Sequence, residues 1–169
     1  MARLIVVAGP PCSGKSTLAA ELGRRYGIPH LSMDATRQRI LPDAAHTRAD
    51  RQAAYRAMHF AAELLLQAGS GVVLDAPYGH AEDREELARI QASTGGELRW
   101  IECLVSPEAA ARRFRERGGP DPNRPDLTAE VVVERVREHH YTGAGLSLNT
   151  DSLTSAECLS RAEAWLDPP

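Results

Sequence analysis

The sequence predicts an α/β chain in three layers, a parallel sheet with helices on both faces. Two observations predict it. Short apolar, β-branched runs such as Leu4–Ala8 and Val72–Asp75 alternate with longer helical patterns along the chain. The first run feeds Gly9-Pro10-Pro11-Cys12-Ser13-Gly14-Lys15-Ser16, which reads G-x-x-x-x-G-K-S, and a helix opens directly behind it at Thr17. Strand, glycine loop and helix in that order form the Walker A phosphate-binding unit.

The remaining elements follow in order. The first helix should run to about Tyr26, with Gly27 as its stop and Pro29 beyond. Pro29–Met33 reads as a short strand ending at Asp34, and Ala35–Leu41 as a brief helical turn closed by Pro42. Thr47–Gln67 carries an apolar stripe through Ala54, Met58, Ala61 and Leu65, so a long helix is expected until Gly69 and Gly71. Val72–Asp75 is a buried-type strand, Glu82–Ala92 a helix broken by Gly95-Gly96, and Leu98–Val105 a strand. Ser106 with Pro107 is a strong helix start, and that helix should end near Arg117. Gly118–Asp126 is rich in Gly and Pro and reads as irregular. A helix from Thr128 to about His140, a strand Leu146–Thr150 and a helix Ser155–Leu166 complete the chain. No repeat or linker divides it, so residues 1–169 are expected to form a single domain.

The loop's residue types match its task. Successive backbone N–H groups curl around an anion, and the new helix adds its positive end. Glycines permit torsions and close approaches that a Cβ would block. Of the 20 basic residues, 19 are Arg and the single Lys is Lys15. A compact ammonium among phosphates is not replaceable by a planar guanidinium. Gly9–Thr17 is therefore expected to bind a nucleoside triphosphate, with Lys15 on the outer phosphates and the Ser16 hydroxyl on Mg²⁺.

Composition narrows the alternatives. A net charge of −3 gives no global attraction to nucleic acid, and no run of 18 apolar residues exists to cross a membrane. Cys12, Cys103 and Cys158 lack metal-ligand spacing, and their odd number argues against a disulfide framework. The N-terminus leads almost at once into the first strand, leaving no room for a signal peptide, so cytoplasm is the expected compartment. No obligate protein partner is evident.

In parallel sheets ligands sit beyond the carboxyl ends of the strands, where the loop, Asp34 and Asp75 all fall. Asp75 ends an apolar strand in the manner of a Walker B carboxylate, holding Mg²⁺ directly or through water. Asp34 is placed to accept or orient the proton of an acceptor hydroxyl, and Arg37, one helical turn on, to fork onto an anionic group of the same acceptor. Both also fit a plain helix-cap and solvated-arginine reading. Arg112, Arg113, Arg115 and Arg117 crowd one helix end, an arrangement that suits a lid over about 112–127 bringing guanidiniums to the transferring phosphoryl. Arg113 and Arg117 share a face and are the preferred pair; Arg124 is the weaker candidate. His139-His140-Tyr141 does not form a site, because adjacent helical residues diverge by about 100°.

Taken together, Gly9–Thr17, the S-x-D-x-x-R of Ser32–Arg37, the G-x-V-V-L-D ending at Asp75 and the R-F-R-E-R of Arg113–Arg117 resemble the small P-loop kinases. The chain is most similar to the group holding polynucleotide 5′-hydroxyl kinases, zeta-toxin and chloramphenicol phosphotransferase-like enzymes, and AAA-type ATP-binding proteins. The resemblance implies a three-layer P-loop NTPase fold with about five parallel strands, the loop on a central strand and an arginine-bearing lid. It implies that Asp34 activates the acceptor and that Arg37 binds a phosphate beside a 5′-hydroxyl. Ala76-Pro77-Tyr78 after Asp75 departs from relatives that carry a threonine there. The resulting expectation is an ATP- and Mg²⁺-dependent kinase. Catalysis would rest on Lys15, Asp34, Arg113 and Arg117; its acceptor is a nucleic-acid end or a small molecule. The alternative is an ATP-gated binding module with slow hydrolysis. Acceptor choice is expected to lie in the regions 41–56 and 77–84.

Overall fold

A computed structural model describes residues 1–43, 45–120 and 124–168. Its elements are β1 (Arg3–Ala8), α1 (Lys15–Tyr26), β2 (His30–Ser32), α2 (Met33–Ile40), α3 (Arg48–Gln67), β3 (Val72–Ala76), α4 (Ala81–Thr94), β4 (Glu97–Leu104), α5 (Pro107–Glu116), α6 (Ala129–Arg137), β5 (Leu146–Asn149) and α7 (Ser155–Leu166). The five strands form one sheet in the order β2-β3-β1-β4-β5, and every neighbouring pair is parallel. This is the three-layer α/β arrangement the sequence predicts, with the loop-bearing strand β1 at the centre of the sheet.

Strand alternation divides the core. Leu4, Val6 and Ala8 face α3 and α4, packing with Met58, Ala62, Leu87 and Ile90. Ile5 and Val7 face the other way, onto Leu18 and Leu22 of α1 and Ala162 and Leu166 of α7. Each β1 residue from Leu4 to Ala8 is at most 1% exposed, as expected for a strand covered on both faces. A third apolar cluster, with Val105, Ala110, Phe114, Leu127, Val132 and Val136, holds the α5–α6 hairpin together, and Cys12 of the phosphate loop packs against it. The arginine-bearing segment therefore stands on its own small core beside the loop. Residues 121–123 of the expected lid lie outside the described residues.

The boundaries that differ most from expectation are those of α2 and α6, the first set by a local cap and the second by a distant side chain. The Ser32 hydroxyl accepts the Ala35 N–H and caps α2, so Met33 and Asp34 are helical rather than the end of a strand. Helix α6 stops at Arg137 instead of running to His140. The chain beyond turns back because the buried Glu102 carboxylate accepts the Thr142 and Gly143 N–H groups and the Thr142 hydroxyl. His139 then stacks edge-on against Tyr141. Helices α3 and α7 start at capping boxes, Thr47 with Asp50 and Thr154 with Glu157.

Candidate active site

The loop joining β1 to α1 holds a shape that its residues dictate. Gly9 sits at φ 155°, and a Cβ there would stand 2.6 Å from Ser13 Oγ and 2.8 Å from the Cys103 carbonyl oxygen. Gly14, at φ 85°, precedes α1 with no side chain capping the first turn, so the helix's positive end is left facing the loop. Ser13 is fully buried and among the described residues its hydroxyl has no partner, an orphaned donor inside an anion cradle. Lys15 is 9% exposed, its stem packed and its ammonium in the cleft. These features fit a bound triphosphate. Burial pushes the Cys12 thiol up, opposed by Arg117, Lys15 and Arg113, so it is not a ready thiolate.

Asp75 lies behind the loop, paired in register with Val7 on one side and Ser32 on the other. It is 2% exposed, and among the described residues neither carboxylate oxygen has a hydrogen-bond partner. Burial alone would raise its pKa, but His30, Lys15 and Ser16 outweigh it and hold the group below the ordinary carboxylate range. His30 reaches it from β2, with Nε2 3.4 Å from Asp75 Oδ2. An anionic carboxylate beside the Ser16 hydroxyl is the hard-oxygen donor set that suits Mg²⁺. Among the described residues no cluster of three or more His, Cys, Asp or Glu could hold a metal unaided. A cation here would take its other ligands from phosphate and water.

At the opposite wall Asp34 and Arg37 occupy the first and second turns of α2, three residues apart and on one face. The Arg37 residue is 3% exposed, and among the described residues its guanidinium has neither a carboxylate within 4.0 Å nor a hydrogen-bond acceptor. Asp34 is half exposed and accepts from Arg124, with Nη1 3.0 Å from Oδ1, while Arg124 Nε also reaches Asp126 at 3.3 Å. Arg124 thus ties the proposed base to the segment entering α6. A pinned corner supports this wall. The Tyr78 N–H donates to the Tyr55 hydroxyl at 2.9 Å, His59 Nε2 lies 3.0 Å from the Tyr78 hydroxyl, and Arg84 donates to the Tyr78 carbonyl at 2.8 Å.

One cleft of about 980 Å³ joins these parts, lined by Pro11 to Thr17, Asp34, Arg37, Arg113, Arg117 and Arg124. Gly9, Pro10 and Asp75 lie beneath its floor, buried. The two preferred lid arginines separate. Arg113 donates to the Cys12 carbonyl at 3.1 Å, to Thr150 Oγ1 at 3.0 Å and to the Thr150 carbonyl, so in this structure it braces the loop instead of reaching toward a transferring phosphoryl. Arg117 is exposed at the cleft, its guanidinium 5.2 Å from the Phe114 ring centre. The sequence did not single out His30, Thr150, Asp126 or Arg135, and it placed Arg51 only within the region 41–56 expected to shape the acceptor pocket. The spacing of His30, two residues before the strand's end, was the only signal for any of those four.

Comparisons with known proteins bear on the family and the fold. A family model described as an AAA domain matches residues 4–140. The Mycobacterium tuberculosis protein Rv2004c, itself uncharacterized, is 30% identical over 143 residues, 78% of this chain. The chain spans 28% of that relative's length. Among solved structures, the M. tuberculosis APS kinase CysC in complex with AMPPNP and APS superimposes with a TM-score of 0.78 at 21% identity, covering 98% of this chain and 97% of that one. A gluconokinase from Sinorhizobium meliloti gives 0.71 at 20% identity, covering 97% and 91%. At those identities the likeness is one of fold.

Proposed function

From the premise that this chain belongs to the AAA domain family, we propose that it is an ATP- and Mg²⁺-dependent phosphotransferase moving the γ-phosphoryl of ATP to a hydroxyl. The observation that supports this reading is that the phosphate loop and Asp34 line a single cleft. Asp34 and the buried Arg37 on one face of α2 offer an acceptor a proton-taking carboxylate and a fork for an anionic group. The acceptor oxygen forms a bond to the γ-phosphorus, the bond to the ADP oxygen breaks, and the acceptor proton passes to Asp34. Lys15 neutralises charge on the outer phosphates, and the loop N–H groups hold them in line. Ser16 and Asp75 would hold Mg²⁺, which supplies further charge neutralisation at the phosphates.

Arg124 pairs with Oδ1 of Asp34, which leaves Oδ2 to take the acceptor proton. Kinases of small molecules among the structures sharing the fold support a small hydroxylated acceptor. The S-x-D-x-x-R pattern supports a 5′-hydroxyl polynucleotide end as the second reading. Transfer from γ-labelled ATP to a panel of hydroxylated metabolites, nucleosides and 5′-hydroxyl oligonucleotides tests the proposal. Label on one acceptor class is the expected result. ATP hydrolysis with no labelled acceptor would argue for a gated binding module instead.

A further inference from the structure

Beneath the phosphate loop, two buried polar groups of opposite character face one another. His30 Nε2 stands 3.4 Å from Asp75 Oδ2, just outside the usual N–H···O range. Among the described residues neither that nitrogen nor either Asp75 oxygen has a hydrogen-bond partner. Leaving a ring N–H and a carboxylate unsatisfied inside a fold is costly, so their juxtaposition calls for a use.

Sheet register brings the two together. His30 pairs with Val73, and Ser32 with Asp75. Side chains two apart on a strand share a face, so His30 and Asp75 lie on the side of Val73, which packs with Leu18 and Leu22 of α1. That helix leaves room for the start of β2. Gly23 sits in the interior of α1, where glycine is unfavourable. A Cβ there would stand 3.1 Å from His30 Cβ and 3.2 Å from the Ile28 carbonyl oxygen. The His30 side chain is 25% exposed at the sheet edge, yet its Nε2 is buried.

Strand order sets what each flank of Asp75 meets. Strand β3 lies between β2 and β1, so His30 approaches from one flank, and Lys15 and Ser16, at the start of α1, from the β1 side. The Lys15 charge and the Ser16 hydroxyl both favour the ionised carboxylate. A carboxylate with no donor on its far flank is free to turn both oxygens toward the Lys15 ammonium, and one so paired is a poorer ligand for a cation. A donor at Oδ2 prevents this. Since a carboxylate only accepts, Nε2 is the ring nitrogen that carries the hydrogen.

We propose that His30 is a positioning residue for the Mg²⁺ site, its Nε2–H holding Oδ2 of Asp75 so that Oδ1 is presented to the cation or to its bound water. The role rests on the reading of Ser16 and Asp75 as the Mg²⁺ residues. Outer partners of this kind orient a ligand carboxylate, and losing one weakens metal binding by about 10–100-fold.

Mn²⁺ is the probe, titrated with electron paramagnetic resonance detection into the full chain carrying a non-hydrolysable ATP analogue. Protein is kept in excess, so that no free analogue competes for the cation. His30→Ala and His30→Asn should each weaken Mn²⁺ binding by about tenfold or more. In His30→Gln the amide N–H comes to about the place of Nε2, and affinity should stay within about threefold of wild type. Analogue affinity without metal should stay within about twofold in all three, which checks that the loop is intact. Asp75→Asn, measured beside them, should lose at least as much as His30→Ala.

Recovery by Gln but not by Asn upholds the proposal. Wild-type affinity in His30→Ala, with Asp75→Asn weakened, overturns the role of His30 and leaves the metal site standing. Equal losses in the Ala, Asn and Gln variants reduce the ring to packing and also overturn it. Mn²⁺ binding in Asp75→Asn that matches wild type removes the metal site, and the proposal with it. In turnover, His30→Ala should need about tenfold more Mg²⁺ for half-maximal rate and regain the wild-type rate at saturation. A loss that saturating Mg²⁺ does not restore counts against the proposal.

Discussion

The two walls of the cleft are built by different means. The donor wall is made mostly of backbone from nine consecutive residues, Gly9 to Thr17, shaped by glycine torsions and one helix end. The acceptor wall is made of side chains from four separated segments, with Asp34 and Arg124 meeting across 90 positions of sequence. Backbone cradles recognise what all nucleoside triphosphates share. Assembled side chains recognise what one acceptor has and others lack, so the same fold can serve different acceptors while its loop stays fixed.

Substitutions should sort by wall. Lys15→Ala should have the largest effect, lowering ATP turnover by on the order of 10²–10³-fold in steady-state assays, because no other described residue places an ammonium in the loop. Asp75→Asn should raise the Mg²⁺ concentration needed for half-maximal turnover by on the order of 10–100-fold. A Mg²⁺ requirement unchanged from wild type would remove Asp75 from the metal site. Arg124→Ala acts on the other wall. Loss of its partly exposed ion pair with Asp34 should speed amide exchange of residues 124–127 by about fivefold, with ATP affinity unchanged.

The smallest effect lies in the corner supporting the acceptor wall. Burial lowers the His59 pKa from 6.5 to about 4. The unfolded chain therefore binds a proton that the folded chain refuses between those values. The stability contribution is fully present above pH 6.5 and is lost as pH falls toward 4. Urea unfolding at pH 7 and pH 5 should show wild-type stability falling by on the order of 1–2 kcal/mol more than in His59→Gln. Equal losses would mean His59 is not buried as a neutral ring.

Legibility in the sequence followed the same division. Strand alternation, capping residues and glycine stops marked nearly every element, because each of those signals is local. One boundary error came from the local Ser32 cap and the other from longer-range competition, where Glu102 captured the chain after α6. The phosphate loop could be read whole because its function resides in contiguous backbone. The Asp34–Arg124 pair could not, since nothing in the spacing of either residue says that α2 and the segment before α6 meet. Arg113 illustrates the limit from the other side. Its spacing from Arg117 placed both on one face, but only the fold shows that the Cys12 and Thr150 carbonyls claim its guanidinium.

The most direct test of separate walls measures ATP-analogue affinity and phosphoryl transfer in parallel on Lys15→Ala and Asp34→Ala. With Lys15→Ala, both should fall. With Asp34→Ala, analogue affinity should stay within about twofold of wild type while transfer drops by on the order of 10²–10⁴-fold. Transfer that persists at the wild-type rate in Asp34→Ala would contradict the account.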